Sequence, residues 1–236
     1  MVFGVIFAGG IGSRMGSADM PKQYLQLGSK PIIAHTIEKF SVNPGIDKII
    51  VLCPKAWIAH TKDIIKKYLG ENAGVEVVEG GATRNGTLEN ALKFLEEHYE
   101  IDEDSIIVTH DAVRPFVTHR IIKENIEAAR EFGACDTVIP ATDTIVDSAD
   151  GKSIRSIPDR TEMFQGQTPQ SFKIRELERV LDSLTDEEKE ILTDACKIFT
   201  IKNKPVHMVD GEVFNTKITY AYDLKVANAL LGVSEE

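Results

Sequence analysis

Apolar and polar positions alternate in blocks along this chain, and the block lengths switch between those of strands and those of helices. Val2 to Ala8 is a short continuous apolar run, the pattern of a strand buried on both faces in a parallel sheet. Pro31 can open a helix at its first position, and Ile32, Ile33, Thr36, Ile37 and Phe40 recur at helical spacing up to a turn at Asn43 to Gly45. An apolar run from Lys48 to Cys53 follows, then a helix over Ile58 to Leu69 and a strand over Val75 to Val78. Thr83 to Tyr99 reads as a long helix with Leu88, Leu92 and Leu95 on one side, and Ile106 to Val108 as a fourth strand. Thr118 caps a helix from His119 to Phe132, and Cys135 to Ala141 is a fifth apolar strand.

Strands alternating with helices at these lengths predict an α/β fold with a doubly wound, mainly parallel, Rossmann-like sheet. Its ligands should lie beyond the carboxyl ends of the strands. The second half departs from this rhythm. Asp143 to Ile157 alternates around Asp150 and Gly151, which predicts an antiparallel β-arm projecting from the sheet. Pro158, Asp159, Arg160 and the polar stretch FQGQTPQSF with Pro169 predict a loop returning to the core. Lys173 to Leu184 should be a helix, LTDACKIF should begin one with Thr193 as its cap, Val206 to Val209 should be a strand, and Tyr222 to Leu231 a closing amphipathic helix.

The chemistry gathers where strands end. After the first strand, Gly9, Gly10, Gly12 and Gly16 permit close main-chain approach, so that successive N–H groups can hold an anion, while Arg14 and Lys22 add a planar fork and a mobile point charge. The Walker pattern is absent, because Arg14 is followed by Met15 where Lys and then Ser or Thr are required. The dinucleotide fingerprint also fails, because its third glycine would fall at Met15. After the third strand, GGATRNGTLENAL places a glycine pair before a helix start that carries Thr83, Arg84 and Asn85, a second anion or base site. An ordinary capped helix start is the competing account, and it leaves Arg84 and the glycines without a role. After the fourth strand comes HDAVRPF, where Asp111 can hold Mg²⁺ or a ribose hydroxyl, or can simply pair with Arg114 to finish the strand.

At 236 residues and 42% hydrophobic content the chain can build a sizeable core as a single domain, with the arm at about 143–157 as an appendage. No apolar segment approaches the roughly 20 residues that span a bilayer, so no membrane association and no signal peptide is expected. Cys53, Cys135 and Cys196 lack metal or disulfide spacing, the six histidines show no ligand pattern, and a reducing cytoplasm is the simplest setting. A net charge of −10 without a long basic block opposes binding to nucleic acid.

The words AGGIGSRMG, MPKQYL, GGATRNGT, HDAVRP, QTPQSF, LTDAC and NTKIT stand in the order and spacing of the cytidylyltransferase family, and the resemblance runs from Val2 to Leu231. That family includes methylerythritol-phosphate enzymes of isoprenoid synthesis and ribitol-5-phosphate enzymes that make CDP-ribitol for teichoic acids and capsules. AGG, DAVRP, TDACKI and the ending YDLKVANAL look more like the ribitol branch. The resemblance implies CMP transfer from CTP to D-ribitol 5-phosphate, with 2-C-methyl-D-erythritol 4-phosphate as the alternative acceptor and Mg²⁺ or another divalent cation as cofactor. It implies that Arg14 and Lys22 stabilise charge on the α-phosphate and pyrophosphate, that Phe7, Ala8, Gly9, Gly10 and Ala82, Thr83, Arg84, Asn85, Gly86, Thr87 and Leu88 hold CTP, and that Arg160 and Lys217 position the acceptor phosphate. Asp111, Arg114, Thr144, Thr168 and Thr193 match family positions around the acceptor, with Asp111 near the metal. A homodimer through the arm is the implied assembly.

Two other classes give contrasting expectations. A non-catalytic nucleotide sensor keeps the glycine cradle but has no need of Arg160 and Lys217. A dehydrogenase needs an acidic ribose ligand near the end of the second strand, where Cys53 and Pro54 stand.

Overall fold

The computed structural model describes residues 1–10, 20–192 and 194–232. Its elements are β1 (Val2–Phe7), β2 (Gln26–Leu27), β3 (Lys30–Pro31), α1 (Ile32–Ser41), β4 (Lys48–Cys53), α2 (Ile58–Leu69), β5 (Val75–Glu79), α3 (Arg84–His98), β6 (Ile106–Asp111), α4 (His119–Phe132) and β7 (Ala134–Pro140). The second half adds β8 (Phe164–Lys173), α5 (Ile174–Asp182), α6 (Asp186–Glu190), α7 (Ala195–Ile201), β9 (His207–Asp210) and α8 (Ala221–Leu230). Seven strands form one sheet in the order β5-β4-β1-β6-β8-β7-β9, and β2 with β3 form a small antiparallel pair. The sheet is parallel except for β8, which runs antiparallel to both β6 and β7.

Every residue of β1 is buried because helices cover both faces. Val2 and Ile6 pack with Ile33, Ile37 and Phe40 of α1 and with Ile121, Ile122 and Ile126 of α4. Phe3, Val5 and Phe7 pack oppositely with Leu88, Leu92 and Leu95 of α3, Leu177 of α5 and Phe199 of α7. Gly4 serves this packing directly, since a Cβ there would lie 2.7 Å from Cδ1 of Phe40. The chain winds from β1 to β4 and β5 on one side and to β6 on the other, so the order reverses between β1 and β6. That reversal opens a crevice at the carboxyl ends of the strands.

The structure changes three expectations. FQGQTPQSF is the greater part of β8, the longest strand in the sheet, with Gln167 to Phe172 buried. Its polar side chains are tolerated because they have partners. Ser171 donates to Oδ1 of Asn125 (3.2 Å), Gln167 accepts through Oε1 from the amide of Asn215 (3.0 Å), and the Thr168 hydroxyl accepts from the N–H of Asp111 (3.2 Å). Pro169 falls where the β7–β8 register shifts, so its missing N–H breaks no regular ladder. The arm keeps its turn, with Gly151 at φ +67° and the Asp150 carboxylate accepting from the N–H groups of Lys152 and Ser153, but its flanks meet in a single bridge, Asp147 to Ser156. Val146, Ile154 and Ile157 are exposed, and a two-stranded ribbon without a covered face has little to hold it together. The helix after Leu192 is capped by Asp194, whose carboxylate accepts from the N–H of Cys196. The expected cap, Thr193, lies outside the described residues, as does Arg14. No described helix is long and apolar enough to cross a membrane.

Candidate functional site

Three strand-end segments meet over the crevice. Phe7 to Gly10 leaves β1, Gly81 to Thr83 leads from the end of β5 into α3, and Asp111 to Val113 leaves β6. Among the described residues they line, with Lys22, Gln23, Arg84, Thr87 and Lys217, a cleft of about 400 Å³.

Local bonds fix each rim. Gln23, itself buried, donates to the carbonyl of Ala8 (2.5 Å) and ties the residue after β1 to the turn Lys22–Tyr24 that carries Lys22. Lys22 is buried beside Gly10. Thr83 caps α3 by accepting from the N–H of Gly86 (3.0 Å), and Thr87 accepts from the N–H of Gly81 (3.1 Å) while donating to the carbonyl of Thr83 (2.8 Å). Gly81 is required at this point, because any Cβ would collide with the backbone of Gly86.

The floor is an electrostatic knot around Asp111. Oδ1 pairs with Nη1 of Arg84. Oδ2 lies 2.8 Å from Nζ of Lys217 and 3.7 Å from Nε of Arg114. Burial opposes ionisation of Asp111, but Arg84, Lys217 and Arg114 outweigh it and hold its carboxyl well below the usual carboxylate range. The competing account of Asp111 and Arg114 as one strand-end pair therefore describes only a part, since two further cations converge on the same carboxylate. Arg84 lays its guanidinium 5.1 Å from the ring centroid of Phe7 and reaches Oε1 of Gln170 through Nη2 (3.4 Å), while its buried Nε has no hydrogen-bond partner among the described residues. Beneath the floor, Thr168 donates to Nδ1 of His110 (2.9 Å) and accepts from the N–H of Asp111 (3.2 Å), and burial pushes His110 down to about 4, so it is neutral.

Of the expected nucleotide residues, Phe7, Ala8, Gly9, Gly10, Ala82, Thr83, Arg84, Thr87 and Asp111 line the cleft. Three do not. Leu88 is buried in the core, Asn85 turns its amide to the carbonyl of Leu192 (3.2 Å), and Gly86 spends its N–H on the Thr83 cap. Of the acceptor residues, Lys217 lines the cleft, whereas Arg114 and Thr168 are buried behind Asp111. Thr144 and Arg160 are exposed near the arm, where Arg160 donates to the carbonyl of Thr142 (3.0 Å), and neither lines the cleft of its own chain.

Sequence reasoning missed Gln23, His110, Asp136 and Gln170. Gln23 and Gln170 lie inside the family words MPKQYL and QTPQSF, but a buried amide carries no periodicity that would single it out. Asp136 and Asp194 meet only through the fold, with ligand atoms within 4.8 Å of one another and of the Cys196 thiol. Gln170 Nε2 already donates to Asp136 Oδ1 (3.0 Å) and to both oxygens of Asp194 (2.8 Å). For a divalent cation, Asp111 is the sole carboxylate among the described cleft residues, and one hard oxygen donor completed by substrate phosphates suits Mg²⁺.

Solved structures share this architecture along nearly the whole chain. A 4-diphosphocytidyl-2C-methyl-D-erythritol synthase from Anaerococcus prevotii DSM 20548 superposes with a TM-score of 0.80 at 29% identity, covering 98% of this chain and 96% of that one. The 2-C-methyl-D-erythritol 4-phosphate cytidylyltransferase of Francisella tularensis gives 0.79 at 27% over 97% and 98%, and that of Thermus thermophilus gives 0.73 at 26% over 99% and 100%. All three names belong to the branch that the sequence words place second. Matched from residue 2 to residue 233 by the family described as IspD, 2-C-methyl-D-erythritol 4-phosphate cytidylyltransferase, the chain belongs to that family and is a cytidylyltransferase.

Proposed function

We propose that this protein transfers CMP from CTP to a polyol phosphate, with 2-C-methyl-D-erythritol 4-phosphate as the first acceptor to test. The family match and the named relatives support that acceptor. The observation that carries the reaction class is the cleft itself, in which Lys22, Arg84 and Lys217 face a glycine-bordered rim above the single carboxylate of Asp111. An oxygen of the acceptor phosphate attacks the α-phosphorus of CTP. A new P–O bond forms, the bond to the bridging α–β oxygen breaks, and pyrophosphate leaves with that electron pair. The nucleophile is already an anion near neutral pH, so no general base is needed, and neutral buried His110 supplies none. Positioning and electrostatics carry the catalysis.

In this reading Arg14, Lys22 and the N–H groups of the glycine turn after β1 take the triphosphate, Arg84 meets its phosphates from the floor, and Lys217 takes the acceptor phosphate. Asp111 would hold Mg²⁺, which offsets charge on the departing pyrophosphate. Residues 1–236 act as one nucleotidyltransferase domain in the cytoplasm, a setting that suits three buried free cysteines. Two copies pair through the arm, whose exposed Val146, Ile154 and Ile157 gain cover, and Thr144 and Arg160 then serve the partner's cleft rather than their own.

Ribitol 5-phosphate is the second reading, carried by AGG, DAVRP, TDACKI and YDLKVANAL. Chromatographic detection of CDP-linked product and of pyrophosphate, with CTP, Mg²⁺ and each acceptor in turn, decides between them. Higher kcat/KM on methylerythritol phosphate supports the first reading, a preference for ribitol 5-phosphate replaces it with the second, and no product from either removes both acceptors.

A further inference from the structure

Two carboxylates lie side by side away from the cleft lining, without any cation paired to them in the described structure. Asp136 projects from β7 and Asp194 caps α7, and between them stands Gln170 of β8, fully buried. A side-chain amide has two N–H donors on one end and a carbonyl on the other, and its two orientations differ only in which end faces where. Here the carboxylates decide. Nε2 donates to Asp136 Oδ1 (3.0 Å) and to Asp194 (2.8 Å), so both donors are consumed and Oε1 must turn the other way. What it meets is Nη2 of Arg84, at 3.4 Å. Without that carbonyl Arg84 would be held only by Asp111 and the face of Phe7.

We propose that Gln170 is a positioning residue for Arg84, and that the Asp136–Asp194 pair sets the direction in which its amide faces. The arrangement gives Arg84 two acceptors of unequal strength, Asp111 at Nη1 and Gln170 at Nη2. Asp111 offsets its charge and shares itself with Lys217, whereas Gln170 accepts from the fork without adding a charge, so the cation stays available to an anion entering the cleft. The acidic pair keeps its position because the amide satisfies both carboxylates. Burial, followed by the neighbouring Asp194, pushes Asp136 up to about 7, against the pull of Gln170, Cys196 and Arg84, so that near neutral pH the pair carries less than its full double charge. This proposal rests on the reading that Arg84 meets the phosphates of CTP.

Calorimetric titration of CTP with Mg²⁺ into wild type, Arg84→Ala, Gln170→Met, Asp136→Asn and the two doubles with Arg84→Ala tests it, with thermal unfolding confirming that each variant is folded. Gln170→Met should weaken CTP about tenfold, the scale of one hydrogen bond to a charged group. Asp136→Asn, whose amide can present either end to Gln170, should weaken it about threefold. Neither change should weaken CTP further once Arg84 is Ala, because a positioning residue has nothing left to position. Losses that add in the Arg84→Ala background would show that Gln170 acts through general packing and would overturn the proposal. Should Gln170→Met fail to fold, the Asp136→Asn cycle decides the matter by the same rule. An Arg84→Ala variant that binds CTP like wild type overturns the nucleotide reading of Arg84, and this proposal falls with it.

Discussion

At the scale of single residues, the site depends on charges held where neighbours make them costly to move. Lys22 is buried on a short turn tied to the end of β1 through Gln23, so its ammonium is placed before substrate arrives. Lys22→Ala should lower kcat by at least about 10²-fold, the scale for removing one preorganised donor, and a near wild-type kcat in a steady-state assay would show that Lys22 is not catalytic. Lys217→Ala and Arg160→Ala should raise the KM for the acceptor more than the Kd for CTP. The opposite split would mean the two subsites have been interchanged. Asp136 adds a pH signature. Its folded-state value near 7 exceeds the ordinary 3.8, so the folded chain keeps a proton that the unfolded chain releases between those values. Stability from this group therefore falls as pH rises through that window and is level above it. Asp136→Asn should gain on wild type in Tm from pH 5 to pH 8 by several degrees, at about 2–4 °C per kcal/mol for a chain of this size. An unchanged difference across that range would show that Asp136 titrates normally.

At the scale of elements, the two halves of the chain differ in how far they can be read. Buried apolar runs announce β1, β4 and β6 directly, and the glycine turns after β1 and β5 point to the cleft because a doubly wound sheet leaves little else at those ends. β8 is illegible for the opposite reason. Periodicity rules equate burial with apolar side chains, and Gln167, Thr168, Gln170 and Ser171 are buried through hydrogen bonds to residues distant in sequence. The contacts among Gln170, Asp136 and Asp194 share that fate, since they exist only once β7, β8 and α7 are adjacent. The arm lies between these cases, its turn readable and its pairing not. Replacing Val146 to Ile154 with a short Gly-Ser turn should give a monomer that has lost activity while its core sheet stays folded. Sedimentation and circular dichroism check this, and a fully active monomer would free the arm from both assembly and site.

At the scale of the molecule, the sheet concentrates rigidity beneath the cleft. β1 lies between β4 and β6 with helices on both faces, whereas β9 closes one edge with a single neighbour. Hydrogen exchange should find the slowest amides in β1, β4 and β6 and much faster ones in β9, since local opening follows burial and pairing. Uniform protection across the seven strands would contradict that ordering.

The reversed strand β8 also has a consequence for how the chain is born. β6 and β7 leave the ribosome before it, yet they are not neighbours in the sheet, because β8 must slide between them. Until Lys173 has been synthesised, β6 has an open edge and β7 has no antiparallel partner, so two apolar strands wait with unpaired backbone. The segment they wait for is polar, and a strand rich in Gln, Thr and Ser adds poorly to a foreign apolar edge while it is still searching for its own slot. Hiding hydrophilic side chains in the middle of the sheet thus gives the nascent chain a closing strand that is slow to aggregate.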